Sequence, residues 1–571
     1  MVRLTRRERE VLVELCRPIL ERASFHEPAP TRDIARALFV TETAVKQHLL
    51  RMYEKLDVPE GGNRRLALAN AAFEQGILSP SELGLADETA SDARAGQALP
   101  AGRAAFAERR WEDAYARLAE ADARGELRQP SDLAALGEAA LWTARHSESI
   151  SARQRAYAAY VESSNADAAV RVAADLFINF IVRGKFACGA GWLAKGARLI
   201  EDQPDSPARG CIAAMEALLL LATGKLEEAA ARATTAMEVG AKHRDRDAYT
   251  LGQTFMACVL ARRGEGDRAM PLFDEAMATA TSGELGTLAT GVVYCRTLCT
   301  CLDQMDYRRA GEWTETIEQG SGRAGAGLPG DCRAHLAAVL SAAGEWKRAD
   351  EEARAACDEA MRFDFGHVGL AAYELGLLRL RMGDIAGAEE AFKRTHELGA
   401  VAEPGLSLLR LARGDAAAAA TSIEAAIASA PSSDPFARAR HLPAKIEIFL
   451  ATGDREGARA ASTELEAIAA RHRGSPGIAA ASAHGSGVVA AAFGAQDEAI
   501  AHLRKSSREW SAANVPFEAA RSRHALGMVL AASGDRAGAA LELGVARDTF
   551  ERLGVTDLAR KSAEALTLTS A

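Results

Sequence analysis

Residues 373–390 read "YELGLLRLRMGDIAGAEE", and this stretch decides the fold. A helix-favouring apolar run ends at Gly383; Asp384 follows, and Ala388 lies five residues beyond the glycine. Glycine takes the left-handed conformation that closes a helix without steric cost. A short acidic side chain then suits the start of a second helix, by capping free N–H groups and by meeting the positive end of the dipole. Ala is small enough to let two helices approach. The stretch predicts a helical hairpin.

The same pattern recurs along the chain. Gly224/Ala229, Gly264/Ala269, Gly344/Ala349, Gly414/Ala419, Gly453/Ala458, Gly494/Ala499 and Gly534/Ala539 repeat it, with Asp415, Asp454 and Asp535 as further acidic caps. Met305/Ala310 and Arg109/Ala114 fill the slot without glycine, and Gly184 and His146 mark weaker copies. Successive anchors are mostly 38 to 41 residues apart, with one step of 31 from Gly383 to Gly414. About twelve units result, over residues 99–571. Such hairpins stack into a solenoid because none buries its apolar face alone. The region resembles a tetratricopeptide (TPR) array, with units longer than the usual length of about 34 residues. A polar, charged final helix within "ARDTFERLGVTDLARKSAEALTLTSA" (546–571) is suited to cap the stack.

Composition agrees with an all-α chain. Apolar residues make up 48% and aromatics only 5%, so the core is built mainly from Ala, Leu and Val. At 571 residues the chain is too long for one domain. Net charge is −9, yet residues 1–80 hold 13 Lys and Arg against 11 Asp and Glu. The front is therefore mildly basic and the rest acidic, which assigns any nucleic-acid binding to the front. Nine scattered cysteines, a start "MVRLTRRERE" without an apolar leader, and no apolar run of about 18 residues point to a soluble cytoplasmic protein with reduced thiols and no membrane span.

Residues 1–79 read differently from the array. "LTRREREVLVELC" carries a capping box, Thr5 with Glu8, with Leu4 before it and Val11, Leu12 and Leu15 on one face. Thr31 marks a second helix start after Pro28 and Pro30, with Ile34, Ala35 and Leu38 inward. A turn at Val40-Thr41 leads into "TETAVKQHLLRMYEKL" (41–56). At about 100° per residue, Val45, Leu49, Met52 and Leu56 form one core stripe. The opposite face carries Thr43, Gln47, Leu50 and Glu54, with Lys46 beside it.

The three segments "LTRREREVL", "IARALFVTETAVKQHLLRMYEKLDV" and "RRLALANAAFEQGIL" together resemble the LuxR-type helix-turn-helix domain over residues 3–78. Stretches at 106–122, 291–317, 402–415 and 434–454 resemble the repeat region of large LuxR-type regulators. Two features depart from that family: "RPILERASFHEPAP" lengthens the first helix or its loop, and the domain stands ahead of the repeats instead of after them. The resemblance implies a reading helix in the major groove of double-stranded DNA. Thr43, Lys46, Gln47 and Leu50 would face base edges, with Thr41 at the helix start. Arg51, Lys55, Arg64 and Arg65 would meet phosphates. The resemblance also implies a homodimer, with Leu66–Leu78 as the dimerising helix. Residues 80–98 read as a flexible, acidic linker.

Other constellations carry no chemistry at this level. Gly320, Gly322 and Gly325 spell a G-x-G-x-x-G, but a helical segment precedes it where a dinucleotide site needs a strand. Cys295 and Cys299 share a helix face, Cys301 is turned away, and no His is near in sequence to complete a zinc site. The three read as buried thiols, and His367 as structural. No catalytic set, cofactor motif or metal site is expected. The expected function is a DNA-binding transcriptional regulator whose array senses a protein partner or a small ligand. The rival is a non-enzymatic TPR scaffold whose front domain docks a protein.

Overall fold

The computed structural model of the protein describes residues 4–20, 28–38, 40–56, 58, 64–74, 77, 97–320, 331–362, 368–430 and 434–570. Among these residues there are 29 α-helices and no strand. The chain divides into two compact units, Met1–Ala101 and Gly102–Ala571. Most of the expected linker, residues 80–96, lies outside the described residues, as do Gly322, Gly325 and His367.

The first unit holds α1 (Arg6–Leu20), α2 (Thr31–Ala37), α3 (Glu42–Lys55) and α4 (Arg64–Glu74). The capping box forms at the start of α1. The Thr5 N–H donates to Glu8 Oε2 at 2.8 Å, and the Glu8 N–H donates to Thr5 Oγ1 at 3.3 Å. Val11, Leu12 and Leu15 of α1, Ile34 and Ala35 of α2, Val45, Leu49 and Met52 of α3, and Leu68, Ala69 and Ala72 of α4 share one buried cluster. The second helix starts at Thr31 as expected, with Pro30 in the cap position and no side chain capping α2. A capping side chain must sit just outside the first helical residue, and Thr31 is already inside. Thr41 does cap α3, accepting from the Ala44 N–H at 3.3 Å, and Leu56 closes it, so the helix proper is one residue shorter at each end than expected.

Among the described residues the array is a series of twelve helix pairs, from Ala98–Ala107 onward, with one further helix, Thr556–Ser570, packed on the last pair. Val368–Met382 and Ile385–Glu397 show the rule. Gly383 has φ 82°, Asp384 accepts from the Gly387 N–H at 2.9 Å, and Ala388 is fully buried. Asp415, Asp454 and Asp535 cap in the same way. Where glycine is missing, the turn still bends left-handed: Arg109 has φ 57° and Met305 φ 56°. The copy marked by His146 turns at Ala144, φ 64°, and its slot is Ser149, which is buried and donates to Gly137 O at 2.6 Å. At Gly189 the slot is tighter still, since a Cβ there would stand 2.8 Å from Ile181 Cγ2. The 31-residue step has a plain cause: its first helix, Gly405–Ala412, has only 8 residues.

Hairpins far apart in sequence touch. Ser475 Oγ donates to Gln304 Oε1 at 3.0 Å, both residues being buried. The rings of Trp346 and Phe517 lie 5.8 Å apart, and Arg362 pairs with Glu112 at 3.2 Å. The array therefore coils until successive superhelical turns pack on one another.

Candidate functional site

In the first unit, α3 is held by Val45, Leu49 and Met52, all at 4% exposure or less. This fixes the rotation of the helix and leaves Thr43, Lys46, Gln47, Leu50 and Arg51 exposed, together with Glu42 and Glu54. Leu50 is 55% exposed, an apolar side chain on an otherwise polar face. Thr41 spends its hydroxyl oxygen on the cap. The other expected phosphate contacts are engaged within the unit. Lys55 Nζ donates to both oxygens of the buried Glu8 carboxylate, at 2.9 and 2.7 Å. The Arg64 guanidinium lies 4.4 Å over the Tyr53 ring and donates to Val58 O at 3.3 Å. Arg65 donates to Ala29 O at 3.5 Å. Sequence spacing could not reveal these partners, because each lies on another element. Of the proposed dimer segment, Leu66 is 38% exposed and Leu68 is buried; Leu78 lies outside the described residues.

In the second unit, first helices of distant hairpins face one another through ion pairs. Arg440 of Pro435–Thr452 pairs with Asp303 of Thr287–Asp303. Arg521 of Pro516–Ser533 holds Glu447 at 2.6 Å and Glu518 at 3.1 Å. Arg381 donates to Ser341 Oγ at 2.9 Å and lies over the Phe517 ring at 5.5 Å. Burial pushes Asp303 and Glu374 above the ordinary carboxylate range, and the attraction of Arg440 and, for Glu374, Arg381 only partly offsets it. Earlier in the array, burial pushes Asp175 up to about 6, with Glu138 and Asp247 raised in the same direction.

Histidines join the same layer. His484 Nδ1 meets Ser522 Oγ at 3.0 Å, and His524 Nδ1 meets Ser562 Oγ at 2.9 Å, the same contact one unit later. Burial lowers His484 to about 4, with Arg521 adding to the shift and Glu518 opposing it. His441, His472 and His524 are lowered in the same direction, again mainly by burial. A folded pKa below the unfolded 6.5 means that the stability is complete above that value and is lost as pH falls toward 4. The array is expected to lose about 2–3 kcal/mol through His484 alone over this window. Thermal melts of the chain from pH 7 to 4.5 measure it; His484→Gln should flatten the decline, and an unchanged slope would remove the assignment.

On second helices, Lys195 Nζ lies 4.6 Å over the Tyr157 ring and 4.7 Å over that of Trp192, which meet edge to face at 5.2 Å. Val161, Arg198 and Leu199 complete this shallow cleft. The Lys195 ammonium is held on the faces of two rings, an arrangement the ring quadrupoles favour.

Cys295 and Cys299 carry their sulfurs 4.0 Å apart, and His335 Nε2 stands 3.1 Å from Cys299 Sγ. No His is near these thiols in sequence, yet one is near in space, because the next hairpin brings it there. Cys301 faces the other way, packed with Leu298, Ala310 and Val339. The burial expected for the three thiols holds for Cys295 and Cys301, while Cys299 is half-buried. No helix is long and apolar enough to cross a membrane among the described residues.

No known family model and no curated protein matches the chain. Solved structures similar to it include the Cut9–Hcn1 hetero-tetramer of the APC/C, at 13% identity and TM-score 0.36, covering 93% of this chain and 95% of that one. A Rap protein complexed with competence and sporulation factor matches at 11% and 0.33, covering 64% and 98%. Yeast Tom70 matches at 13% and 0.31, covering 84% and 97%. Values this low assign no partner or activity, and the paired-helix architecture rests on the chain's own turns and packing, as a TPR-like helical repeat protein.

Proposed function

We propose that the protein is a helical-repeat binding scaffold with a LuxR-type helix-turn-helix unit, and that it acts as a DNA-binding transcriptional regulator. One observation carries the DNA reading: α3 is locked by buried Val45, Leu49 and Met52 while Thr43, Lys46, Gln47, Leu50 and Arg51 stand out together. In this reading Lys46 donates to guanine, Gln47 pairs with adenine, and Leu50 touches a thymine methyl. The array takes a protein partner or small ligand, and the Tyr157–Trp192–Lys195 cleft is the contact that supports this part.

A second reading has its own support. Lys55, Arg64 and Arg65 are engaged inside the unit, and Leu50 is an exposed apolar group, both of which favour a face that docks protein. Binding titrations against genomic DNA fragments, at low and at near-physiological salt, separate the two. The DNA reading expects Lys46→Ala with Gln47→Ala to weaken binding at least tenfold, since each base contact contributes about 1–3 kcal/mol. Absence of binding at low salt, or indifference to the double substitution, leaves the scaffold with a protein-docking front.

A further inference from the structure

Cys295 and Cys299 lie one turn apart on Thr287–Asp303, and His335 reaches them from Asp331–Ala343, the first helix of the next hairpin. The three donor atoms all lie within 4.8 Å of one another. Cys295 and His335 are buried, at 6% and 2% exposure, while Cys299 is half-buried and leaves a way in. His335 Nδ1 is buried and makes no hydrogen bond, while Nε2 meets Cys299 Sγ and the ring also feels the Glu374 carboxyl.

The two sulfurs are spaced for one ion. Metal–sulfur bonds of about 2.3 Å and metal–nitrogen bonds of about 2.0–2.1 Å, in tetrahedral or trigonal geometry, place two sulfurs about 3.8–4.0 Å apart and sulfur and nitrogen about 3.5–3.8 Å apart. The sulfurs already stand at 4.0 Å. The nitrogen needs to withdraw by about half an ångström from Cys299, about the width separating a thiol–imidazole hydrogen bond from two ligands of a shared ion. Two thiolates and an imidazole form a soft donor set that selects zinc or monovalent copper over calcium, magnesium or manganese. The Arg296 guanidinium, 3.7 Å from Cys295 Sγ, favours the thiolate form that a metal requires.

We propose that Cys295, Cys299 and His335 bind one thiophilic d10 cation, Zn(II) or Cu(I), and so clasp two successive hairpins of the array. A metal ion takes both sulfurs as thiolates, so each thiol gives up its proton to solvent as the ion enters. Two thiolates and Arg296 leave one negative charge for the ion to meet, with the Glu374 carboxyl on the His335 side.

The full chain, reduced with a phosphine and freed of metal by chelator, is titrated with Co(II) as a probe for Zn(II), and anaerobically with Cu(I) against a chromogenic chelator. One equivalent of either ion is expected, with a thiolate charge-transfer band for Co(II). Cys299→Ser and His335→Gln are expected to weaken binding more than tenfold, while Cys301→Ser, on the other face of the helix, binds as the parent does. A measurement on the unaltered chain guards against variants that fail to fold. Bound metal should protect Cys295 and Cys299 from iodoacetamide, while the exposed Cys188 is alkylated with or without metal. Failure of both ions to bind stoichiometrically overturns the proposal. So does binding that survives Cys295→Ser with Cys299→Ser, or equal alkylation of these two thiols in both states.

Discussion

Replacing Gly477 by alanine is expected to separate two superhelical turns of the array. The added Cβ would stand 2.3 Å from Met305 Cβ and 2.4 Å from Met305 O. Neither neighbour is the loose end of a side chain. Met305 is the left-handed residue of a hairpin turn, held by its N–H to Leu302 O at 3.0 Å. The turn is tied to Gly477's own helix by Ser475 and Gln304, both buried. Relief therefore requires backbone to move, and overpacking of this kind costs about 1–3 kcal/mol, with valine at the same place costing more. Helix propensity pulls the other way by about 1 kcal/mol, since alanine is the better helix former. Gly191→Ala isolates that term, because Gly191 is helical and a Cβ there meets nothing within 4 Å. Thermal and urea unfolding should show Gly191→Ala at or above the parent, Gly477→Ala below it and Gly477→Val lower still. Equal stability of Gly477→Ala and Gly191→Ala would mean that the two turns do not touch.

Loss of Glu8 is expected to unfold the first unit locally while the array keeps its structure. The carboxylate accepts from the Thr5 N–H and from Lys55, and so fixes the start of α1 to the end of α3. Glu8→Ala removes half of a capping box and leaves Lys55 without its partner. The cap contributes about 1 kcal/mol, and breaking a buried ion pair from one side costs about 3–5 kcal/mol. Lys55 remains partly exposed and recovers water, so a total of about 2–4 kcal/mol is expected. Amide hydrogen exchange on the full chain should show faster exchange over residues 6–56 and unchanged exchange beyond residue 130. The same carboxylate sets an acid limit. Desolvation raises its pKa, but the hydrogen bonds from Lys55 and Thr5 outweigh that and leave it below the ordinary value. A lowered folded pKa means that this stability is complete above the unfolded value and is lost as pH falls through the folded one. Glu8→Gln should flatten the acid limb for the first unit, and a limb unchanged by it would discount the pair.

The exposed face of α3 was legible for a simple reason: the helix buries one stripe, so the residues at the opposite angle must be exposed. Val45, Leu49, Met52 and Leu56 are buried as that geometry requires. The same reasoning failed for Lys55, Arg64 and Arg65. A helical wheel says which way a side chain leaves its own helix, and it is silent on what the next element places there. Glu8 is 47 residues from Lys55, and Ala29 is 36 from Arg65. His335 escaped notice on the same ground, lying 36 residues from the thiol it approaches.

The repeat itself belongs to the sequence. A left-handed turn, a capping carboxylate and a small residue five positions on act within one hairpin, where neighbours in sequence are neighbours in space. Gly453, Asp454 and Ala458 carry out all three roles without help from the rest of the chain. The curvature of the stack came from tertiary structure alone. Each junction between hairpins adds a small rotation, and these accumulate until Gln304 meets Ser475 and Glu112 meets Arg362. No local pattern encodes such a sum, and it is this sum that turns isolated charges, histidines and thiols into paired and clustered ones.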